Sequence, residues 1–412
     1  MIDCERCGNI KIIGNMTPLL TLVLLVVIAF LGALVFKKYK LDNPIINSLA
    51  YTGSLYFVLG YILGPAVLDF INQKIIKELS VLYALVLGWA GFLIGLQANV
   101  KKMRRFPFKY YAYSLSNILI VLFISFGTLI VYSFYVGGGW GIVDLLVLSI
   151  AGMITSPIIF GIIFRDYRVV PEAMHILQFN SAFDNLVGVV AFGAVIAFAS
   201  INTGLGTLGF ALLFSVVIAL IAVAIYYFLS PELESAEERF LLLLGLLFVV
   251  DGVALYFNQS LIFLSFLFGF GLANAPVKTR GLLQDITKLE KPMYVLLLIF
   301  VGVNLNFTNQ SILPLLLLFF IIHLFSKIIA GYSSQFMLSQ KYRFGTFNGM
   351  ANIGLGGLSL AMILDFYLTT QSTEGQILLI AVTFTLVFQD AASWHYLRKT
   401  IVKKEKKQKN NK

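Results

Sequence analysis

The sequence predicts an all-α polytopic membrane protein of about thirteen transmembrane helices, arranged as an inverted repeat. Three observations support this: the composition, the length of the apolar blocks, and a self-similarity between the two halves of the chain. Of 412 residues, 59% are hydrophobic and only 12% charged, where an ordinary soluble chain carries about a quarter charged residues. Mean hydropathy is +0.90. The apolar blocks run to about twenty residues, the length that crosses ~30 Å of hydrocarbon as a helix. They lack the ~10-residue alternation of an outer-membrane barrel. The loops between them are too short to hold a soluble domain.

The predicted spans are 16–36, 46–67, 80–98, 108–136, 141–163, 176–200, 207–229, 238–256, 259–275, 291–307, 311–336, 346–367 and 375–398. Lys and Arg set their direction. With the N-terminus outside, the inner loops, inner span ends and tail hold 25 of the 30 basic residues, and the outer segments hold Arg6, Lys11, Lys74 and Lys77. The loop "KKMRRFPFK" and the tail "RKTIVKKEKKQKNNK" dominate, so the positive-inside rule puts the N-terminus outside and the C-terminus in the cytoplasm. This distribution accounts for the net charge of +10 without a nucleic-acid partner. The basic loops and tail would instead meet anionic lipid headgroups. The remaining base, Lys327, lies deep inside span eleven.

The two cysteines, Cys4 and Cys7, form "CERC". Two thiols cannot complete a tetrahedral zinc site, and no cofactor is expected. The first sixteen residues lack the charged-then-apolar order of a cleavable signal, so span one is expected to remain as a helix.

The repeat appears when the spans are aligned. Span three ends Gly95-Leu96-Gln97-Ala98-Asn99 and span ten ends Gly302-Val303-Asn304-Leu305-Asn306, an offset of 207. Span five carries "GMITSP" from Gly152 and span twelve "GMANIG" from Gly349, an offset of 197. The matched spans run in opposite directions, so spans 2–6 and 9–13 are inverted copies. Inverted repeats with broken helices at the midplane are the signature of secondary transporters. In span five, Pro157 follows Thr155 and Ser156. Proline removes a backbone donor and clashes with the preceding turn, which predicts a break there. In span twelve, Asn352, Gly354, Gly356 and Gly357 mark a second unwound stretch.

Asp184 sits about eight residues into span six, roughly 12 Å of helix rise. A charge near the bilayer centre costs ~2.5–3.5 kcal/mol on insertion scales. Asp184 and Lys327, the deepest acid of the first repeat and the only deep base, are therefore expected to pair or to line an aqueous cavity. Asn180 and Ser181 stand one turn before Asp184 and Asn185 and add oxygen ligands to that face. A buried carboxylate can hold a proton or a monovalent cation but not both, and competition for one site is exchange. Asp390, offset by 206 from Asp184, and His323, one turn before Lys327, are secondary proton-site candidates, with His395 a partner for Asp390. Asp144 and Asp365 fall near span ends, where interfacial solvation would suffice, and Asp251 lies in span eight. A membrane enzyme is not indicated: there is no His/Asp/Glu cluster, and Ser156 has no matching base at a recognisable spacing.

At these residues the sequence resembles the monovalent cation:proton antiporter superfamily, closest to its Kef-type and NapA-like branch. "YFVLGYILGP", "GFLIGLQANVKKMRR", "ITSP", "SAFDNLVGVV", "FLFGFGLANAPV" and "LLIFVGVNLNF" follow that family's order and spacing. The resemblance implies the NhaA-like antiporter fold, with broken helices five and twelve crossing. It implies a mobile core of helices 4–6 (108–206) and 11–13 (311–398), which moves as an elevator. The dimerising scaffold would be helices 1–3 (16–107) and 8–10 (238–310), joined through linker helix 7 (207–237). The termini would be an extracytoplasmic segment (1–15) and a basic cytoplasmic tail (399–412). It also places Lys327 where some members pair a lysine with an acid. Two departures stand out. Asn185 occupies the position where relatives hold the ion-binding acid, and this sequence carries none of the nucleotide-binding regulatory domain that follows the membrane region in Kef proteins.

The expected function is exchange of Na⁺ or K⁺ for H⁺ by a homodimer in a bacterial or archaeal plasma membrane, electroneutral because the site holds one carboxylate and one amine. The ion and proton site would comprise Asp184, Asn185, Lys327, Thr155, Ser156, Asn180 and Ser181. The alternative is a transporter fold that has lost exchange, with Asn185 as the trace of that loss, acting as a sensor, passive pathway or carrier of another solute.

Overall fold

The computed structural model describes residues 18–38, 53, 55–136, 139–166, 171–200, 205–276, 280–307, 312–338 and 348–400. The "CERC" motif, the segment 1–15 and the tail beyond residue 400 lie outside the described residues. The described residues form helices and no strands. We label the principal helices α1 (Pro18–Lys38), α2 (Leu55–Leu63), α3 (Ser80–Gln97), α4 (Phe108–Val136), α5a (Ile142–Met153), α5b (Pro157–Asp166), α6 (Pro171–Ser200), α7 (Leu205–Leu229), α8 (Ala236–Tyr256), α9 (Leu261–Asn274), α10 (Arg280–Val303), α11 (Ile312–Ser334), α12 (Gly357–Thr370) and α13 (Thr373–Thr400). Seven of them are long and apolar enough to cross a membrane: α3, α4, α6, α7, α8, α11 and α13. The half-helices α5a and α12 are shorter and equally apolar.

The helices pack as two groups. α1, α2, α3, α8, α9 and α10 contact one another, with α3 against α9 and α2 against α10 as the main pairs. α4, α5a, α5b, α6, α11, α12 and α13 form the second group, and α7 lies against α9, α6 and α8. The contacts across the two groups are fewer, chiefly α6 and α12 against α3, α9 and α10.

The two main pairs of the first group use the same device. A Cβ on Gly95 of α3 would run into the Phe266 carbonyl and the backbone of Gly269 in α9. A Cβ on Gly302 of α10 would run into the Phe57 carbonyl and Gly60 of α2. Small residues let membrane helices approach backbone to backbone. Gly95 and Gly302 are the glycines that match across the repeat, so the sequence self-similarity corresponds to two equivalent close helix crossings.

Polar caps finish several helices. Asn72 Oδ1 accepts from Ile75 N at 2.9 Å at the start of the short helix Gln73–Glu78. Ser235 caps α8 through Glu238 N at 3.1 Å. Ser260 caps α9 through Phe263 N at 3.1 Å and donates its own hydroxyl to Asp365 Oδ2 at 2.7 Å. Asp365 is therefore not at a solvated span end. It is 1% exposed, and it holds the N-terminal turn of α9, with Ile262 N also directed at Oδ2 at 3.4 Å. The positive end of that helix supplies the compensation that interfacial water was expected to supply. Asp144 does keep to the rim, where it accepts from Gly141 N at 2.9 Å at the start of α5a.

Candidate functional site

Helix five leaves helical geometry after Met153 and resumes at Pro157. Proline suits that first position, because its absent N–H would have lacked an intrahelical partner in any case. Helix twelve begins as a 3-10 turn, Asn348–Asn352, runs extended, and resumes at Gly357. The two breaks meet: Ser156 N donates to Gly354 O at 2.9 Å. A Cβ on Gly356 would stand 3.3 Å from Ser156 Cα, so the crossing needs a small residue there.

Breaking a helix leaves its last carbonyls without partners, and in hydrocarbon such groups must be satisfied by protein. At the end of α5a, side chains from three other helices do so in sequence. Ser359 Oγ of α12 donates to Ala151 O at 2.9 Å. His323 Nε2 of α11 meets Gly152 O at 2.8 Å. Lys327 Nζ of α11 donates to Met153 O at 2.6 Å and Ile154 O at 3.2 Å. Ser181 Oγ of α6 donates to Thr155 O at 2.9 Å. A buried cation at a helix C-terminus is also favoured by the helix dipole, which explains how Lys327 is held at 0% exposure.

Asp184 is likewise 0% exposed. Its Oδ2 accepts from Thr155 Oγ1 at 2.7 Å and from Asn180 Nδ2 at 2.9 Å. Thr155 Oγ1 in turn accepts from Lys327 Nζ at 3.0 Å. The acid and the base therefore do not form a direct ion pair within 4.0 Å, and the Thr155 hydroxyl stands between them. The reason is local: the unwound residues 154–156 pass between α6 and α11, and the hydroxyl there can donate to one partner while accepting from the other. Asp184 Oδ1, Asn180 Oδ1 and Asn185 Oδ1 are buried and have no hydrogen-bond partner. Asn352 belongs to a separate contact, donating to Tyr113 Oη at 3.2 Å.

The secondary candidates divide. His323 is fully buried, and its Nδ1 faces Gln389 Oε1 while Nε2 faces the Gly152 carbonyl. The Gln389 amide is oriented by its Nε2 donating to Phe320 O at 2.9 Å. Asp390 is 2% exposed and its Oδ1 has no partner, but no hydrogen bond joins it to His395, which is exposed on the next turn. Successive turns of one helix carry both side chains, yet the acid faces the core and the histidine faces outward. Asp251 accepts from Ser265 Oγ at 2.6 Å inside the first group of helices, away from the breaks.

Sequence reasoning missed Gln389, Ser359, Gln97 and Glu290. Gln97 was visible as the amide of the repeated Gly-x-amide motif, and Glu290 as the acid between Lys288 and Lys291 just before span ten. Nothing in the sequence marks Gln389 or Ser359. Two clefts are lined by Asn185, one between α3 and α6 and one between α3, α10 and α12.

Two broken helices that meet beside a buried charge are the architecture of a secondary transporter. The transmembrane sodium/hydrogen exchanger family model matches residues 25–392, nearly the whole chain, and the protein belongs to that family. No curated protein matches the sequence. Among solved structures, the chain is similar to the sodium proton antiporter MjNhaP1 from Methanocaldococcus jannaschii at pH 8, at 17% identity and a TM-score of 0.62. That likeness covers 93% of this chain and 97% of the other. An electron-microscopy structure of the same antiporter gives 15% identity, a TM-score of 0.64 and the same coverage. At such identity the likeness establishes the fold.

Proposed function

We propose that the protein exchanges a monovalent cation, Na⁺ or K⁺, for H⁺ across the membrane, one for one, by an elevator movement. Membership of the sodium/hydrogen exchanger family supports cation/proton exchange. One observation carries the assignment of the site: Asp184 has one carboxylate oxygen held by Thr155 and Asn180 and the other without a partner, and the Asn180 amide bonded to it has its own oxygen unpartnered. These oxygens are hard ligands suited to an alkali cation. Either a proton or a cation can neutralise the free carboxylate oxygen. The Thr155 hydroxyl links Asp184 to Lys327, so cation arrival at Asp184 weakens what holds the ammonium in place, and Lys327 releases its proton. One carboxylate and one amine then alternate partners, and no net charge moves. Ser156, Ser181, Pro157 and Gly354, Gly356 and Gly357 position the crossing rather than touch the ion.

In this reading the group α4–α6 with α11–α13 moves against α1–α3 with α8–α10, which also forms the homodimer contact. On the same reading the basic end of the bundle faces the cytoplasm, and the motifs read in the sequence place the chain with the Kef-type and NapA-like branch. His323 is the stronger of the two secondary proton-site candidates, because both of its nitrogens face carbonyl oxygens; the one-for-one cycle does not use it. Asp390 has no such network and is the weaker candidate.

The test is a proteoliposome with a trapped pH-sensitive dye. A Na⁺ or K⁺ gradient should drive a pH change that does not respond to membrane potential, and Asp184→Asn should abolish it. Exchange that persists in Asp184→Asn would sink the mechanism. The neutral Asn185 favours one other reading, a transporter fold without exchange. It predicts a silent wild type in which Asn185→Asp creates exchange.

A further inference from the structure

Three hydrogen bonds that cross between the two groups of helices gather at one end of the bundle. At the start of α9, Asp365 of α12 accepts from Ser260 Oγ at 2.7 Å and from Ile262 N at 3.4 Å. At the end of α10, Asn304 O accepts from Gln376 Nε2 of α13 at 3.2 Å. This is the end where α3 begins, since Asn304 Nδ2 also donates to Tyr83 Oη at 3.1 Å. The opposite ends of α3 and α9 meet through Asn99 Nδ2 and Ala273 O at 2.6 Å. There the larger of the clefts lined by Asn185 is also lined by Gln97, Ala98 and Lys102. Beside the Asp365 bonds lies a cavity of about 230 Å³, whose lining includes Asp365, Gln259, Lys77 and Ala84.

A helix leaves its first N–H groups without intrahelical partners, and in a membrane interior they need a protein acceptor or water. The start of α9 takes one acceptor from its own cap, Ser260, and another from α12 in the opposite group. Satisfying this helix end therefore depends on the two groups staying together. A carboxylate makes the contact stronger than a neutral acceptor would, because its bonds are charge-assisted and the helix dipole favours an anion there. We infer that Asp365, supported by Gln376, is a latch between the two groups. It holds α4–α6 and α11–α13 against α1–α3 and α8–α10 at this end, and the end opens when water replaces the carboxylate at Ser260 and Ile262. The movement that the latch restrains is that of the antiport reading, but opening can be measured without exchange.

The probe is Ala84→Cys in a Cys4→Ser, Cys7→Ser background. Ala84 is 2% exposed and lines the cavity beside Asp365. Its modification by a maleimide, on the full-length protein in detergent, reads the fraction of molecules open at this end. Asp365→Ala should speed modification about 10- to 100-fold, the change in a two-state equilibrium for one lost charge-assisted bond. Asp365→Asn should give a smaller rise, because the amide oxygen still accepts. Gln376→Leu leaves Asp365 in place and should give a rise of about five-fold, which carries the test if Asp365→Ala does not fold. A control, Ala29→Cys, is buried in α1, which packs against α10, and should keep its rate. A lowered thermal midpoint with Ala84→Cys modification unchanged would make Asp365 a helix cap alone and overturn the latch. An equal rise at Ala29→Cys would show general loosening and overturn it as well. Exchange in proteoliposomes is measured beside these rates. Exchange with unchanged modification refutes the latch and leaves the antiport reading standing; faster modification in a protein that does not exchange upholds the latch and refutes antiport.

Discussion

Thr155→Val keeps the shape of the side chain and removes the hydroxyl that joins the two buried charges. That hydroxyl donates to Asp184 Oδ2 at 2.7 Å and accepts from Lys327 Nζ at 3.0 Å. After the change, Asp184 keeps Asn180, and Lys327 keeps the carbonyls of Met153 and Ile154. Both charges stay partly satisfied, so the protein should still fold, and one charge-assisted bond is lost on each side. Such bonds contribute about 1.5–3 kcal/mol. If the loss of one of them falls on the step that couples proton release to cation binding, a tenfold change per 1.4 kcal/mol gives roughly a 10- to 100-fold slower Na⁺-driven pH change. The assay is the dye-loaded proteoliposome, with a monodisperse size-exclusion profile as the check on folding. Thr155→Ser retains the hydroxyl and should stay within a few-fold of wild type. A correctly folded Thr155→Val protein that exchanges at the wild-type rate would refute the relay, and would mean that Lys327 serves only to cap α5a.

Competition at Asp184 also sets a pH dependence. On the proposed mechanism a proton and Na⁺ compete for the Asp184–Lys327 site, so lowering the pH should raise the apparent KM for Na⁺, by up to about tenfold per pH unit for one competing proton. Vmax at saturating Na⁺ should be largely unaffected, and a Vmax that falls with KM unchanged would argue against competition. Gly95→Leu should lower the thermal midpoint in detergent, since forced packing at a close crossing costs about 1–3 kcal/mol. Gly302→Leu should do the same at the equivalent crossing, and a neutral result at both would contradict the paired-glycine contacts. Asp365→Ala leaves Ser260 and the Ile262 N–H without their buried acceptor and should cost about 1–3 kcal/mol. Asp365→Asn should cost less in the same thermal-unfolding measurement, because the amide oxygen can still accept.

The features read correctly from sequence share a local or additive cause. The all-helical membrane fold follows from transfer free energy summed over each apolar block. The break at residues 154–156 follows from Pro157, whose effect reaches no further than the preceding turn. The repeat was legible because Gly95 and Gly302 each sit at a backbone contact, where any larger residue would force the neighbouring helix to shift. Asp184 and Lys327 stood out because each is expensive alone in hydrocarbon, whatever its neighbours.

Other features depended on which distant residues meet. Asp184 and Lys327 lie 143 positions apart in sequence. Their need for compensation could be stated from composition, but only the crossing of helices five and twelve decided that Thr155 comes between them. Asp365 sits near the end of its span, where water was the simplest partner. The neighbouring N-terminus of α9 took that role because packing brought α12 and α9 together. Glu290 and Asn185 line one cleft only because α10 lies beside α3 and α12. By itself, then, the sequence determined that the chain is an all-helical membrane protein, where two helices break, and which buried charges need compensation, because those costs are local or additive. Only the tertiary structure decided which groups provide it, because hydrogen bonds and clefts depend on contacts between residues far apart in the chain.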